Sequence, residues 1–210
     1  MTRRLSTGVE PVDDELGGGL PAGSVVALCA PPVTSSEMLL YELAGARETL
    51  YVTTTRSKAA VKAAFEAYPN DTGTPVVTEA DRDVDFDELA RIAGRAHASA
   101  NIVIDTVGVL ERADRDAYCS FLRDLSAHVR SIDGLAVLHC HRLPAEPSPP
   151  GRRLTLGMAD ATLELERHAS EAAIDHRLLV TKLRGGTALT APITLELDDA
   201  VRVDTTRDLA

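Results

Sequence analysis

The chain has 210 residues, 44% of them hydrophobic, enough for one α/β domain with a substantial core. No run of about 18 apolar residues occurs, so no membrane span is expected, and Met1–Leu5 lacks the apolar core of a signal peptide, so the expected location is cytoplasmic. A formal net charge of -10 argues against broad binding to nucleic-acid duplexes.

Residues 1–23 form a lead-in segment. Val25–Cys29 then reads as a strand, Ala30 to Glu37 as a tight loop and Met38 to Ala46 as a short helix. Further strand-like runs are Thr49–Thr53, Pro75–Thr78, Asn101–Asp105 and Leu135–His139. Helical patterns lie between them at Lys58–Tyr68, Asp87–Ser99 and Arg115–Ser131, the last with Asp114 as N-cap. Short apolar strands alternating with helices predict a parallel sheet covered on both faces. Residues 142–153 contain Pro144, Pro147, Pro149 and Pro150, a loop by composition. Beyond it, Ala161–Glu166, Arg177–Lys182, Ile193–Leu197 and Ala200–Val203 read as hairpin strands, with His168–Asp175 and Gly185–Ala191 as turns. The whole, 1–210, is expected to be a single domain.

The segment Ala30-Pro31-Pro32-Val33-Thr34-Ser35-Ser36-Glu37 stands where a strand–loop–helix unit would carry a phosphate-binding loop. That pattern, G-x-x-x-x-G-K-[ST], needs glycines for close backbone approach, a lysine for the phosphates and a hydroxyl for Mg²⁺. Here the four positions hold Ala30, Ser35, Ser36 and Glu37. Ser36 brings no charge. Glu37 places a carboxylate at a helix N-terminus, where it uses the dipole that a phosphate would otherwise use.

The flanks give this loop a family context. Ser6-Thr7-Gly8, a short Asp-rich stretch, Gly17-Gly18-Gly19 and Pro21-Ala22-Gly23-Ser24 resemble the lead-in of the KaiC-like and RadA-like branch of the RecA superfamily. Leu178 to Gly185 is similar to that family's Lys-x-Arg-Gly strand. The resemblance runs from about Leu5 to about Val203. It implies a RecA-like P-loop NTPase core, with a mostly parallel central sheet extended by C-terminal antiparallel hairpins. Asp105 then matches the Walker-B aspartate, with neither lysine nor hydroxyl to work with. Thr55 and Arg56 occupy positions where hydrolysing relatives carry the acidic general base, and neither can act as a base near neutral pH. Lys182 and Arg184 match the pair that reaches a neighbouring subunit's γ-phosphate in rings and filaments. A solvated strand face is the competing reading for them. The lysine-poor, acidic composition, with only Lys58, Lys62 and Lys182 against 19 arginines, also resembles that of haloarchaeal proteins.

The remaining candidates carry less. His139 and His141 share a strand face near the carboxyl edge of the sheet, where ligands bind in open α/β folds, but no further ligands complete a metal site nearby. Ser35 and Ser36 have no His-Asp partner nearby in sequence, so nucleophilic catalysis is not expected. His168 and His176 are expected at an exposed turn. Cys29, Cys119 and Cys140 read as buried free thiols. Arg142, Arg152 and Arg153 are the candidate basic patch. Taken together, the residues predict a non-catalytic, degenerate RecA/KaiC-like regulatory or scaffolding protein that works through a protein partner. That partner is a second copy, an active RecA-like relative, or a signalling or transcription protein. No cofactor and no nucleic acid are expected. The alternatives are an ATPase using ATP and Mg²⁺ through an unconventional loop, and a DNA-repair accessory resembling RecA paralogues.

Overall fold

The computed structural model describes residues 3–80, 85–143, 146–169 and 174–203. The elements are β1 (Arg4–Leu5), α1 (Glu10–Glu15), β2 (Leu20–Pro21), β3 (Ser24–Ala30), α2 (Glu37–Ala46), β4 (Thr49–Thr53), α3 (Lys58–Ala67), β5 (Val76–Glu79) and α4 (Phe86–Ala93). They continue with β6 (Asn101–Asp105), a 3₁₀ turn at Leu110–Arg112, α5 (Arg115–Ser131), β7 (Leu135–His141), α6 (Arg152–Met158), β8 (Ala161–Ala169), β9 (Ile174–Leu183), β10 (Ile193–Leu197) and β11 (Val201–Val203). Among the described residues, nine strands form one sheet in the order β11-β10-β9-β8-β3-β7-β6-β4-β5. From β5 to β3 all pairings are parallel, and β8 joins β3 in parallel. From β8 to β11 they are antiparallel. The expected parallel half with antiparallel extension is therefore present.

Every residue of β3, β4 and β6 is buried, as a two-faced parallel sheet requires of its central strands. Alternation along β3 divides the core into two layers. Val26, Leu28 and Ala30 pack with Leu40, Leu43 and the lead-in residues Val9 and Val12. Val25, Ala27 and Cys29 pack with Leu122, Leu125 and Val129 of α5. The lead-in closes onto α2 at Gly8, where φ is +90° and an added Cβ would stand 2.1 Å from the Glu42 carbonyl oxygen. Gly8→Ala is therefore expected to cost at least about 1–3 kcal/mol from the backbone conformation alone, read as a lower urea midpoint.

Several boundaries differ from the sequence pattern. Helix α4 stops at Ala93, with Gly94 as its C-cap, rather than running to Ser99. Strand β7 runs two residues past His139 because β3 still pairs with it at Ala30 and His141. Residues 142–153 are not loop throughout, since α6 begins at Arg152 once Gly151 N–H donates to the Glu111 carbonyl; Pro144 lies outside the described residues. The turn placed at His168–Asp175 is shorter, because those two residues pair in register within the β8–β9 hairpin. His176, opposite Arg167 and Leu195, is buried rather than exposed, and burial lowers its pKa.

Candidate functional site

The loop Ala30–Glu37 joins β3 to α2 at the carboxyl edge of the sheet. Pro31 and Pro32 have no backbone N–H to offer an anion. Thr34 turns inward, and both its N–H and its hydroxyl donate to the Pro31 carbonyl, at 3.2 and 2.6 Å. Ser35, at the position of the second glycine, has φ of +50°. The loop thus keeps a left-handed residue there, in a conformation that glycine adopts at lower cost. Glu37 is the first residue of α2 and lies in its acidic first turn.

Ser36, at the position of the lysine, is almost fully enclosed with 1% exposure. Its hydroxyl meets His139 Nε2 at 2.9 Å, and His139 Nδ1 meets Asp105 Oδ1 at 2.7 Å. Nδ1 thus faces the carboxylate, to which it donates, and Nε2 faces the Ser36 hydroxyl. On the other carboxylate oxygen, Asp105 Oδ2 accepts from the Tyr51 hydroxyl at 2.6 Å and from Arg56 Nη2 at 2.8 Å. Arg56 also donates to the Tyr41 and Tyr51 hydroxyls, at 3.2 and 3.1 Å. Six side chains from the loop, α2, β4, β6 and β7 and the turn after β4 therefore form one closed polar chain.

The charges follow the geometry. Burial alone would raise the Asp105 pKa, but His139, the Tyr51 hydroxyl and Arg56 outweigh it and hold the carboxyl well below the usual range. Burial and the Asp105 charge push the Tyr51 hydroxyl well up. Burial works against the Arg56 cation, yet Tyr41, Tyr51 and Asp105 together raise its pKa. Asp105 is thus an anion with a cation already bound.

Structure brings together residues that sequence separated. Asp105 does have hydroxyl company, from Tyr51. Ser36 does have His and Asp partners, delivered by strands β7 and β6. His139 was legible as a residue at the carboxyl edge, but its link to Ser36 was not. Tyr41 and Tyr51 carried no motif at all. Thr55 is exposed and apart from the network. His141 packs edge-on against His139, with ring centres 4.7 Å apart, and among the described residues no cluster of three or more His, Cys, Asp or Glu could hold a metal ion.

A second buried polar cluster lies under the turn after β6. Arg152 donates from Nε and Nη2 to both Glu111 carboxylate oxygens, at 2.7 and 2.8 Å, and to the His141 carbonyl at 3.1 Å. The Thr155 hydroxyl adds a bond to Glu111 at 2.6 Å and meets Tyr118 at 2.7 Å. Arg152 is therefore structural, and Arg142 faces Glu164 and Glu166. The three arginines do not combine into a free basic patch. Lys182 and Arg184 do reach one place together. Lys182 Nζ donates to the Leu156 carbonyl at 2.8 Å and Arg184 Nη2 to the Gly157 carbonyl at 3.1 Å, which satisfies the last turn of α6.

A family model described as "Family of unknown function (DUF7125)" matches residues 4–210. No curated protein matches the chain. Among solved structures, the crystal structure of the KaiC-like protein PH0186 from the hyperthermophilic archaeon Pyrococcus horikoshii OT3 superposes with a TM-score of 0.77 at 15% identity. The match covers 97% of this chain and 99% of that one. At that identity the likeness speaks to the fold, a KaiC-like, RecA-type core.

Proposed function

The chain belongs to the family of unknown function DUF7125, and we propose that it is a RecA-type domain that neither binds nor hydrolyses ATP. In this reading it works as a regulatory or scaffolding protein through a protein partner, either a second copy or an active RecA-like relative. One observation carries the proposal: both carboxylate oxygens of Asp105 are taken, by His139 on one side and by Tyr51 and Arg56 on the other. A metal-binding site leaves its carboxylate open, whereas here an internal cation neutralises it. Ser36 supplies no charge where the lysine would stand, and loss of one charge-assisted phosphate contact alone costs about 1.5–3 kcal/mol. Two prolines and an inward-turned Thr34 take donors from the loop, and Glu37 adds repulsion.

Calorimetry with ATP and ADP, in Mg²⁺ and molar KCl, tests this. The expected result is no heat at millimolar nucleotide. Micromolar binding with steady Mg²⁺-dependent turnover would overturn the proposal and favour an ATPase with a rebuilt loop.

The Ser36–His139–Asp105 chain favours one competing reading, a hydrolase with Ser36 as nucleophile. Ser36 and His139 are each only 1% exposed, which keeps an acyl group from reaching the hydroxyl. A fluorophosphonate probe distinguishes the two: labelling at Ser36 would support the hydrolase, and the expected outcome is none.

A further inference from the structure

Cys29 and Cys140 take no part in the polar chain, yet the fold sets them side by side. They are register partners on the parallel strands β3 and β7. Both belong to the buried layer under α5, and both are free thiols. The Cys140 thiol donates to the Leu138 carbonyl at 3.4 Å. In-register residues on neighbouring strands stand about 4.8 Å apart, within the Cα separation of about 4.4–6.8 Å that a disulfide spans. Cys119 is on α5, lining a surface cleft with Arg115 and Arg123.

The two thiols are not equivalent. Cys29 retains 5% exposure and Cys140 none. The neighbouring Cys140 thiol, opposed by burial but helped by the Arg152 charge, lowers the pKa of Cys29. The Cys29 neighbour, with burial, pushes Cys140 well up. The anion is thus favoured on Cys29, the less enclosed of the two buried thiols, and the proton on Cys140.

We propose that Cys29 and Cys140 form a two-electron redox site, with Cys29 the attacking and Cys140 the resolving thiol of an intramolecular disulfide. The oxidant class is a hydroperoxide. The Cys29 sulfur attacks its terminal oxygen and the O–O bond breaks, which leaves a sulfenic acid and releases an alcohol. The Cys140 sulfur then attacks the Cys29 sulfur, and the hydroxyl departs with the Cys140 proton as water. Two thiols are oxidised by two electrons and one hydroperoxide is reduced to alcohol and water. The cross-link ties the strands that deliver Ala30 and His139 to the site above, but it does not depend on how that site functions.

The test uses the full chain, folded in molar KCl and exposed to tert-butyl hydroperoxide. After an acid quench, free thiols are alkylated under denaturing conditions and the peptides are mapped by mass spectrometry. The expected product carries a Cys29–Cys140 disulfide with Cys119 alkylated. In Cys140→Ser, Cys29 is expected to accumulate as a sulfenic acid that dimedone traps. Three alkylated cysteines, over-oxidised Cys29 beside free Cys140, or intermolecular pairing through Cys119 alone would each overturn the proposal. The wild-type map needs no variant, so a poorly folding Cys140→Ser leaves the test intact.

Discussion

Glu111→Ala is expected to lower the unfolding free energy by about 3–5 kcal/mol, the cost of leaving a buried partner charge uncompensated. The Glu111 side chain has no exposure and that of Arg152 only 6%. Removing the carboxylate leaves the Arg152 guanidinium its bond to the His141 carbonyl but takes away its counter-charge, and takes an acceptor from the Thr155 hydroxyl. Urea unfolding in molar KCl measures the loss. The double variant Glu111→Leu with Arg152→Met is expected to recover most of it, because an apolar pair carries no such penalty. A double variant as unstable as Glu111→Ala would mean that the cluster acts through shape rather than charge.

Asp105→Ala is expected to cost about 3 kcal/mol, at the lower end of the same range because the Arg56 side chain keeps 32% exposure and some hydration. Acid gives an independent view of the same carboxylate. Its pKa is lower in the folded chain than in the unfolded one, so the unfolded state binds its proton first. The stability contributed by Asp105 is complete above about pH 4 and declines as pH falls from there toward the lower folded value. In wild type the urea midpoint should therefore drop steeply below pH 4, and in Asp105→Ala that part of the slope should vanish. Parallel slopes in the two proteins would show that the polar chain around Asp105 is not a source of stability.

Sequence patterns located β4, β6 and α5 at their observed limits, because each combines a continuous apolar run or a helical period with a sharp boundary. Asp114 caps α5 through the Asp116 and Ala117 amides, a local bond that local sequence can announce. The departure of the loop Ala30–Glu37 from the phosphate-binding pattern was legible for the same reason: it lies within eight consecutive residues. The polar chain was not legible. Ser36, Tyr51, Arg56, Asp105 and His139 come from segments spread over more than a hundred residues, and only strand order and register bring them together. Helix α6 was hidden by the prolines before it, and its anchor, Glu111, lies forty-one positions upstream. His176 was misplaced because the hairpin carrying it is longer than its polar sequence suggests.

Strand β3, the middle of the sheet, leaves the ribosome well before either of its neighbours. Its two neighbours, β7 and β8, follow more than a hundred residues later. Until β8 is available, this fully buried strand has one edge open, and before β7 it has two. Local helices cannot cover that gap, because a parallel pairing must close its intervening loop before any bond repays the cost. The order of synthesis and the order of assembly therefore run against each other. This molecule should fold late and all together, most vulnerable to wrong strand pairing just before β8 arrives.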